Sequence, residues 1–335
     1  MGGHPELRGE VVLVAGGAGF IGSALCRELA ALGARVVVFD NFVHGRREHL
    51  DGVASTMVVG DVVDVRALDA ACAAHSPSVV FALVSETYVP AAYQAPKRFV
   101  RTNVEGTLNL LQATKAFGVR RMVYASTTEV YGEASGALDE NQPFSPLNTY
   151  AVTKLAADRL CATFVAEHDA EVVIARLFNS YGPRATHPYV IPEVIAQLSR
   201  DGRVVLGNLE ARRDFTYVDD VARALIAIAT ADVAAGAVFN VGSDVSVSVR
   251  ELVSIVAELL GRGKVSIEVD PARLRRRDIG GFRCNATALR TATGWAPKLD
   301  LRAGLESTIA WFVANGSRWS WELDYDERIR NAVDR

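Results

Sequence analysis

The chain has little of what would indicate a secreted, metal-binding or membrane protein. Only four of its 335 residues are cysteine, and no CxxC pair or Cys/His cluster occurs. The wide spacing disfavours a metal or redox motif and predicts reduced, mostly buried thiols at Cys26, Cys72, Cys161 and Cys284. No apolar run reaches the about 18 residues of a membrane span, and the N-terminal segment is polar. We therefore expect a cytoplasmic protein with no metal and no membrane partner.

The chain also lacks an excess of one charge. Its 36 basic and 39 acidic residues give a formal net charge of −3 and are interspersed along the sequence. This balance disfavours nucleic acid as a partner. Half of the residues are hydrophobic, enough for a large core in one unit or two closely joined domains. No internal repeat or low-complexity linker is visible.

A glycine-rich loop directly follows the first apolar run. Val11–Val14 predicts a buried parallel strand, and GGAGFIG at 16–22 comes next. In this GxxGxxG pattern, Gly16 allows a tight turn, Gly19 lets backbone approach a pyrophosphate, and Gly22 lets the following helix pack closely. Phosphates would lie at the positive N-terminus of that helix. The predicted dinucleotide contacts in this loop are Gly16, Gly19, Phe20, Ile21 and Gly22.

A second apolar strand, Arg35–Phe39, ends at Asp40, about 20 residues beyond the glycines. A carboxylate here accepts hydrogen bonds from an adenosine ribose, so Asp40 favours NAD over NADP. The alternative is that Arg46 and Arg47, which follow closely, hold the 2′-phosphate of NADP. Asp61 follows the third strand, where it and the Val62 amide meet adenine unless Asp61 is an ordinary turn residue. Further cofactor contacts are predicted at Asn41 and Leu83.

Short β-rich runs alternate with amphipathic helical stretches as far as about residue 178. The alternation predicts an α/β fold with a doubly wound parallel sheet of the Rossmann type and a ligand crevice at the carboxyl ends of its strands. We expect an NAD-binding domain at 1–178 and a smaller substrate-binding lobe mainly at 179–335. The chain returns to the first domain at about 219–242. The strands predicted for the first domain are Val11–Val14, Arg35–Phe39, Met57–Val59, Val79–Leu83, Arg121–Ala125 and Glu171–Arg176.

Tyr150 and Lys154 are four residues apart and therefore lie about one turn apart on one face of a helix. A nearby ammonium stabilises tyrosinate and lowers a phenol pKa from about 10 toward the working range. Tyr150 then removes a hydroxyl proton while hydride leaves the same carbon for nicotinamide. A proline-containing break at 143–146 precedes this helix, and a strand ending in STTE at 126–129 lies upstream. Together with the glycine loop, these features predict a catalytic pair.

In combination, these motifs make the chain resemble the extended short-chain dehydrogenase/reductases, specifically the nucleotide-sugar epimerase/dehydratase family, over nearly its whole length. The segments that carry the resemblance are GGAGFIG at 16–22, FDNFVHGRREHL at 39–50, TNVEGTLNLL at 102–111, STTEVYG at 126–132, YAVTK at 150–154, RLFNSYGPR at 176–184 and RRDFTYVDD at 212–220. The resemblance implies tightly held NAD that is reduced and reoxidised within one turnover. It also implies oxidation at the sugar C4 and a nucleoside diphosphate anchored by the C-terminal lobe.

The same resemblance assigns roles to individual residues. It implies that Thr127 hydrogen bonds the C4 oxygen beside Tyr150, and that Tyr150 and Lys154 also contact the cofactor, Lys154 at the nicotinamide ribose. Arg213 suits charge-assisted bidentate bonds to a diphosphate, although structural roles remain the alternative for Asn179 and Arg213. The implied substrate contacts are Glu86, Asn179, Arg213 and Arg277.

Glu129 separates the reactions found in the family. Simple 4-epimerases usually carry no acid at this position, whereas sugar 4,6-dehydratases and UDP-glucuronate decarboxylases carry glutamate. Once C4 is a ketone, the C5 proton is acidified, and Glu129 can take it as water leaves C6. Thr128 complicates the assignment, because many dTDP-glucose dehydratases have aspartate there, whereas GDP-mannose-type dehydratases and decarboxylases have serine. We rank a 4,6-dehydratase first, a decarboxylase second and a 4-epimerase third.

The chain departs from the family pattern at two places. Ala82-Leu83-Val84-Ser85 replaces the usual His-Leu-Ala-Ala, which alters the nicotinamide side of the site. Phe282 stands where decarboxylases usually offer an arginine to the substrate carboxylate, with Arg283 adjacent. A non-catalytic dinucleotide sensor is a remote alternative, which the presence of both Tyr150 and Lys154 disfavours.

Two further expectations concern surfaces. The helical stretches near Asn103–Phe117 and Tyr150–His168 have more apolar positions than one sheet-facing stripe needs. Since related enzymes pair these helices into a four-helix interface, we expect a homodimer. His187 lies in a turn-rich segment and is predicted to be a solvent-exposed loop residue rather than a substrate contact.

Overall fold

The computed structural model describes residues 7–134, 136–274, 280–319 and 321–322. Its strands are β1 Val11–Ala15, β2 Arg35–Asp40, β3 Ser55–Val59, β4 Val79–Ala82, β5 Arg121–Thr127, β6 Ala137–Leu138, β7 Val172–Leu177, β8 Asn179–Tyr181, β9 Arg203–Leu206, β10 Arg212–Tyr217, β11 Val238–Val241, β12 Ser246–Ser248, β13 Ser266–Val269 and β14 Arg283–Cys284. Its α-helices are α1 Phe20–Ala31, α2 Val65–His75, α3 Val89–Gln94, α4 Pro96–Val100, α5 Gly106–Ala116, α6 Thr149–His168, α7 Val190–Arg200, α8 Val218–Thr230, α9 Val249–Leu259, α10 Thr287–Thr293 and α11 Leu301–Ala314.

Seven strands form one parallel sheet in the order β3-β2-β1-β4-β5-β7-β11. The register pairs Val12 of β1 with Val36 on one side and with Val79 on the other. The central strands are apolar and buried along nearly their whole length, as strands covered on both faces must be. The predicted Rossmann-type doubly wound sheet is confirmed, and its strands begin and end within two residues of the predicted bounds.

Helices cover both faces of this sheet. On one face α1 packs against α8, and Leu25 and Leu225 from these helices share a core. On the other face α2, α5 and α6 pack side by side, with Leu68 and Leu111 in a second core. The segment 218–241 thus supplies both α8 and β11 to the large sheet.

The later part of the chain builds smaller sheets and a separate core. Strands β8, β10 and β12 form a three-stranded sheet, while β9 pairs with β13 and β6 with β14. Helices α7, α9 and α11 contribute Ile195, Val253 and Phe312 to a third hydrophobic core. The division into domains at residue 178 stays a prediction.

The carboxyl ends of β1, β2, β4 and β5 meet at one edge of the large sheet because all these strands are parallel. The glycine loop lies at this edge, and its glycines are required sterically. Gly16 has a φ of +84°, and a Cβ there would lie 2.9 Å from the Val84 nitrogen. A side chain at Gly22 would collide with the Gly16 carbonyl oxygen. The loop therefore packs tightly against both β4 and α1.

All four cysteines are buried and free of disulfides, as the spacing predicts. In the part of the chain that the structure describes, no helix combines the length and the apolar composition needed to cross a membrane.

Candidate active site

A cavity of about 1260 Å³ opens at the carboxyl edge of the large sheet, where the segments 177–193 and 206–215 face the glycine loop and α6. It brings together most of the predicted site residues. Those that line it are Gly16, Gly19, Phe20, Ile21, Gly22, Asp40, Asn41, Val62, Leu83, Glu86, Thr127, Thr128, Glu129, Tyr150, Lys154, Asn179 and Arg213. Asp61 does not line the cavity, and Arg277 lies outside the described residues.

Asp61 instead supports a neighbour that does line the cavity. Its Oδ2 accepts a hydrogen bond of 2.9 Å from the Asn41 side-chain amide, and its Oδ1 accepts one of 3.1 Å from the Val63 backbone. This geometry is that of an Asx turn, the alternative interpretation of this residue. Asp61 therefore orients Asn41 at the cavity edge.

The glycine loop and Asp40 fit a dinucleotide. Asp40 is buried, and its carboxylate accepts hydrogen bonds from the Ala18 and Phe42 amides at 3.0 and 2.8 Å. These bonds tie the loop to the end of β2. The first turn of α1 has no side-chain cap and no acidic residue, so its backbone N–H groups are suited to phosphate oxygens. Burial raises the pKa of Asp40, opposed by the two amide hydrogen bonds.

The Arg47 side chain packs against Phe42 and Met57 and does not line the cavity. Its guanidinium lies 4.5 Å from the centre of the Phe42 ring, and its Nη1 lies 3.5 Å from the Met57 sulfur. Neither Arg46 nor Arg47 lines the cavity. These contacts favour Asp40 over the arginines as the residue that selects the cofactor.

We expect the purified protein to bind NAD at least about tenfold more tightly than NADP, because the Asp40 carboxylate would repel a 2′-phosphate. Calorimetric titration with both dinucleotides measures this ratio. Asp40→Asn should reduce the ratio of NAD affinity to NADP affinity. Asp51→Asn, at an exposed position, should leave this ratio unchanged. A clear preference for NADP that disappears in Arg47→Ala would contradict the prediction and make Arg47 the phosphate ligand.

Tyr150 and Lys154 lie near the start of α6, as the spacing predicts. The helix is capped by Asn148, whose side-chain oxygen accepts a 2.9 Å hydrogen bond from the Ala151 amide. Lys154 is only 3% exposed. Its Nζ donates a 2.6 Å hydrogen bond to the Ala125 carbonyl and lies 4.4 Å from the centre of the Tyr124 ring. Burial lowers the pKa of Lys154 to about 7, although the charge of Asp158 opposes the change.

We expected Lys154 to lower the pKa of the Tyr150 phenol. This expectation is wrong, because the pKa is raised in the structure. Burial raises the pKa of Tyr150, and the negative charge of Glu129 raises it further. The physical reason is that Tyr150 is half-buried in the cavity wall near a carboxylate, while the Lys154 ammonium donates its hydrogen bond to the backbone of β5. A hydrogen bond from Thr127 lowers the pKa of Tyr150 but does not outweigh burial.

The end of β5 places three predicted catalytic residues beside Tyr150. A short 3₁₀ turn at Thr128–Tyr131 follows the strand, and the Thr127 hydroxyl caps it by accepting a 3.3 Å hydrogen bond from the Glu129 amide. Asn148 donates a 2.7 Å hydrogen bond to Glu129 Oε2. The cap of α6 thus fixes the glutamate as well as the helix that carries Tyr150. Thr128 is buried in the same wall.

The predicted substrate contacts differ in their exposure and in the partners that their side chains already have. Asn179 is exposed at the start of β8, and the Arg213 guanidinium lies over the Phe282 ring at 5.5 Å. Glu86 is buried and already has partners, with Arg98 Nε at 2.7 Å and His44 Nε2 at 3.0 Å from its carboxylate. Burial raises the pKa of Glu86, but His44 and Arg98 outweigh it and lower the pKa to about 2. Glu86 is therefore ionised and held in place.

Asn103 is a buried residue that supports the site and that the sequence reasoning missed. It is 1% exposed and accepts a 2.8 Å hydrogen bond from the Glu86 amide. It donates to the Glu86 carbonyl at 3.0 Å and to the Thr153 hydroxyl at 2.9 Å. It thus joins the altered segment after β4 to α6. The motif TNVEGT contains it, but nothing local to that motif indicates these partners.

The expectation that His187 is a solvent-exposed loop residue is wrong. The side chain is buried and lines the cavity, where its ring stacks on Tyr88 with centres 5.4 Å apart. It also lies 4.8 Å from the ring of His44, which comes from the loop after β2. Turn composition could not reveal this burial, because the covering residues are distant in the chain.

Comparisons with known proteins agree with this geometry. A family model described as the NAD dependent epimerase/dehydratase family matches residues 12–242. A dTDP-glucose 4,6-dehydratase of Streptomyces griseus is 33% identical over 319 residues, which cover 92% of this chain and 95% of that protein. A UDP-glucose 4-epimerase of Rhizobium leguminosarum bv. trifolii is 32% identical over 327 residues, which cover 91% and 98%. The solved structure of MoeE5 in complex with UDP-glucuronic acid and NAD has a TM-score of 0.82 at 35% identity and covers 92% and 100% of the two chains.

The fold and the cavity are those of a dinucleotide-dependent enzyme with an extended short-chain dehydrogenase/reductase architecture. The chain belongs to the NAD dependent epimerase/dehydratase family, and its cofactor is NAD. This confirms the resemblance drawn from the motifs. Because the relatives include both dehydratases and epimerases, the similarity fixes the family and not the reaction.

Proposed function

We propose that this protein is an NDP-hexose 4,6-dehydratase. The observation that carries the proposal is the Glu129 carboxylate, which lines the same cavity as Tyr150 and lies close enough to raise the pKa of its phenol. A simple epimerase needs only the acid/base pair at C4. A second carboxylate beside that pair suits removal of a proton from the neighbouring carbon.

In the first step, the phenolate form of Tyr150 takes the proton of the C4 hydroxyl. Thr127 donates a hydrogen bond that stabilises this phenolate against the burial that raises its pKa. Lys154, when protonated, adds a positive charge on the same face of α6. When bound, NAD would supply a hydride acceptor for C4 and, once reduced, a hydride donor for C6. The glycine loop and Asp40 would hold it.

In the second step, Glu129 takes the C5 proton, which the C4 ketone acidifies. The C5–C6 double bond forms as the C6–oxygen bond breaks, and the departing hydroxide needs a proton to leave as water. Because Thr128 has no acidic proton to give, Glu129 passes on the proton that it took. When C6 receives hydride, C5 regains one proton, which equals in number the proton that Tyr150 took from the C4 hydroxyl. The net change is therefore the loss of one water.

Mass spectrometry of the products tests this proposal. The purified protein is mixed with UDP-, dTDP- and GDP-hexoses and with UDP-glucuronate. Loss of water supports the dehydratase, loss of carbon dioxide from UDP-glucuronate supports a decarboxylase, and an altered sugar of unchanged mass supports an epimerase. No change with any substrate would overturn all three and favour the dinucleotide sensor.

UDP-glucuronate decarboxylation is the second candidate. It is supported by Arg213, whose guanidinium lies in the cavity over Phe282 and suits a carboxylate as well as a diphosphate. MoeE5, 35% identical, has been solved with UDP-glucuronic acid bound. Glu129 and Thr128 are compatible with this reaction too. We rank it second because Phe282 occupies the position where the resemblance implies an arginine.

We also propose a homodimer formed through α5 and α6. Val152 of α6 is 51% exposed although it is apolar, and Phe117, directly after α5, is 38% exposed. Val100, at the end of α4, is 52% exposed. Light scattering at micromolar concentration should give twice the monomer mass. Val152→Asp should give a monomer, whereas Val245→Asp, exposed elsewhere, should remain dimeric. A monomeric parent protein would contradict the proposal.

The cytoplasmic location stays a prediction.

A further inference from the structure

Three polar side chains line one wall of the cavity, and Arg98 supports them from outside the lining. We call this cluster the histidine wall: His44, Glu86, Arg98 and His187. Glu86 is held by Arg98 at 2.7 Å and by His44 at 3.0 Å, and Arg98 Nη2 lies 2.7 Å from the same His44 nitrogen. The His187 ring packs on His44 from the opposite side of the cavity edge, with centres 4.8 Å apart. Through His44, the pair of Glu86 and Arg98 is thus connected to His187.

His187 has hydrogen-bonding capacity left over. The side chain is 4% exposed, and its Nδ1 lies 3.0 Å from the Thr186 hydroxyl. Among the residues that the structure describes, no hydrogen bond to its Nε2 is formed. The Nε2 atom is not among the fully buried polar atoms that lack a partner, so it is open to the ligand cavity that His187 lines. A polar atom that faces a ligand cavity and has no protein partner is available to bind the ligand.

The protonation state limits what this nitrogen can bind. Burial lowers the pKa of His187 to about 3, and the charges of His44 and Arg98 also lower it while Glu86 opposes them. The ring is therefore neutral. Its Nε2 is a donor if Thr186 donates to Nδ1, and an acceptor in the other tautomer. A hydroxyl group satisfies either case because it can donate or accept.

We propose that His187 is a specificity-determining residue whose Nε2 hydrogen bonds a hydroxyl group of the hexose ring, with His44, Glu86 and Arg98 positioning it. The position fits the sugar, because His187 lines the same cavity as Tyr150. The neighbouring Tyr189 also lines it, and its ring centre is 5.7 Å from that of His187. The proposal rests on a nucleotide sugar being the substrate. The histidine wall should prefer a neutral hexose to a hexuronate. Its cationic side chain, Arg98, is already paired with Glu86 and is not available to a substrate carboxylate.

Calorimetric titration of the NAD-loaded protein tests this without requiring turnover. The ligands are the UDP-, dTDP- and GDP-hexoses, the matching nucleoside diphosphates, and analogues of the tightest hexose that lack one ring hydroxyl each. His187→Leu should weaken the hexose about tenfold, the effect of one lost hydrogen bond, and leave the nucleoside diphosphate unchanged. His187→Gln should recover part of the loss. The control His75→Leu, at the half-buried end of α2 and away from the cavity, should bind like the parent.

The deoxy analogues identify the contact. One of them should bind the parent protein about tenfold more weakly than the full hexose, yet bind His187→Leu as well as the full hexose does. Equal affinity of parent and His187→Leu for every hexose would overturn the inference. The inference would also be overturned if each deoxy analogue lost as much affinity, relative to the full hexose, in His187→Leu as in the parent. If the hexose binds and depends on His187 but no water is lost in the product assay, the dehydratase proposal fails and this inference stands. If no nucleotide sugar binds, both fail.

Discussion

Replacing Tyr150 with phenylalanine is expected to lower turnover by about 10²–10⁴-fold while leaving affinity for NAD almost unchanged. Only the phenol oxygen is lost, and this is the atom that takes the C4 proton in the proposed first step. The ring itself should stay in place, since it packs edge-on against Phe99 with centres 6.5 Å apart. Turnover by product mass and affinity by titration with NAD measure the two effects separately.

Tyr124→Phe is the matched control for this prediction. Tyr124 is a fully buried tyrosine whose ring lies beneath the Lys154 ammonium, but it does not line the cavity. Removing its hydroxyl should therefore leave turnover close to that of the parent. Lys154→Met should instead cost both turnover and NAD affinity. Near-normal turnover of Tyr150→Phe would remove the proposed base.

Glu129→Gln is expected to separate the two halves of the reaction. Oxidation at C4 depends on Tyr150, whereas removal of the C5 proton depends on the carboxylate. With a dehydratase substrate, the variant should still accumulate reduced cofactor, visible by its absorbance. It should exchange the C5 hydrogen with deuterated solvent slowly and lose water about 10²–10⁴-fold more slowly than the parent. Stopped-flow absorbance and product mass follow the two steps.

The structure makes this substitution a clean test. Glutamine keeps the shape of Glu129 and an oxygen for the hydrogen bond from Asn148, so the cap of α6 should survive. Glu133→Gln, four residues later and exposed, is the control and should dehydrate like the parent. If Glu129→Gln dehydrates at the parent rate, the carboxylate takes no part, and the case for a dehydratase over an epimerase is lost.

The folding pattern could be predicted because it is encoded locally. The apolar run Val11–Val14 and the glycines after it need only near neighbours to become a strand, a tight turn and a helix start. The four-residue spacing of Tyr150 and Lys154 likewise fixes their shared helix face. Parallel strands then bring their carboxyl ends to one edge, so the sequence order alone placed most site residues around one cavity.

The chemistry of the site could not be predicted in the same way, because it depends on contacts between distant segments. The phenol pKa rises because Tyr150 is half-buried in the cavity wall near Glu129, and the ammonium expected to lower it is bonded to Ala125 instead. Nothing in a turn-rich segment indicates that His187 will be covered by Tyr88 and His44.

The sequence by itself determined the Rossmann-type sheet, the dinucleotide loop, the pairing of tyrosine with lysine and the family. These features follow from periodicity and short spacings, which act over a few residues. Only the tertiary structure decided which charges are buried, which are paired, and which polar atoms still need a partner. Burial and charge pairing are properties of the assembled cavity, since both the removal of water and the approach of an opposite charge require segments that are far apart in the chain.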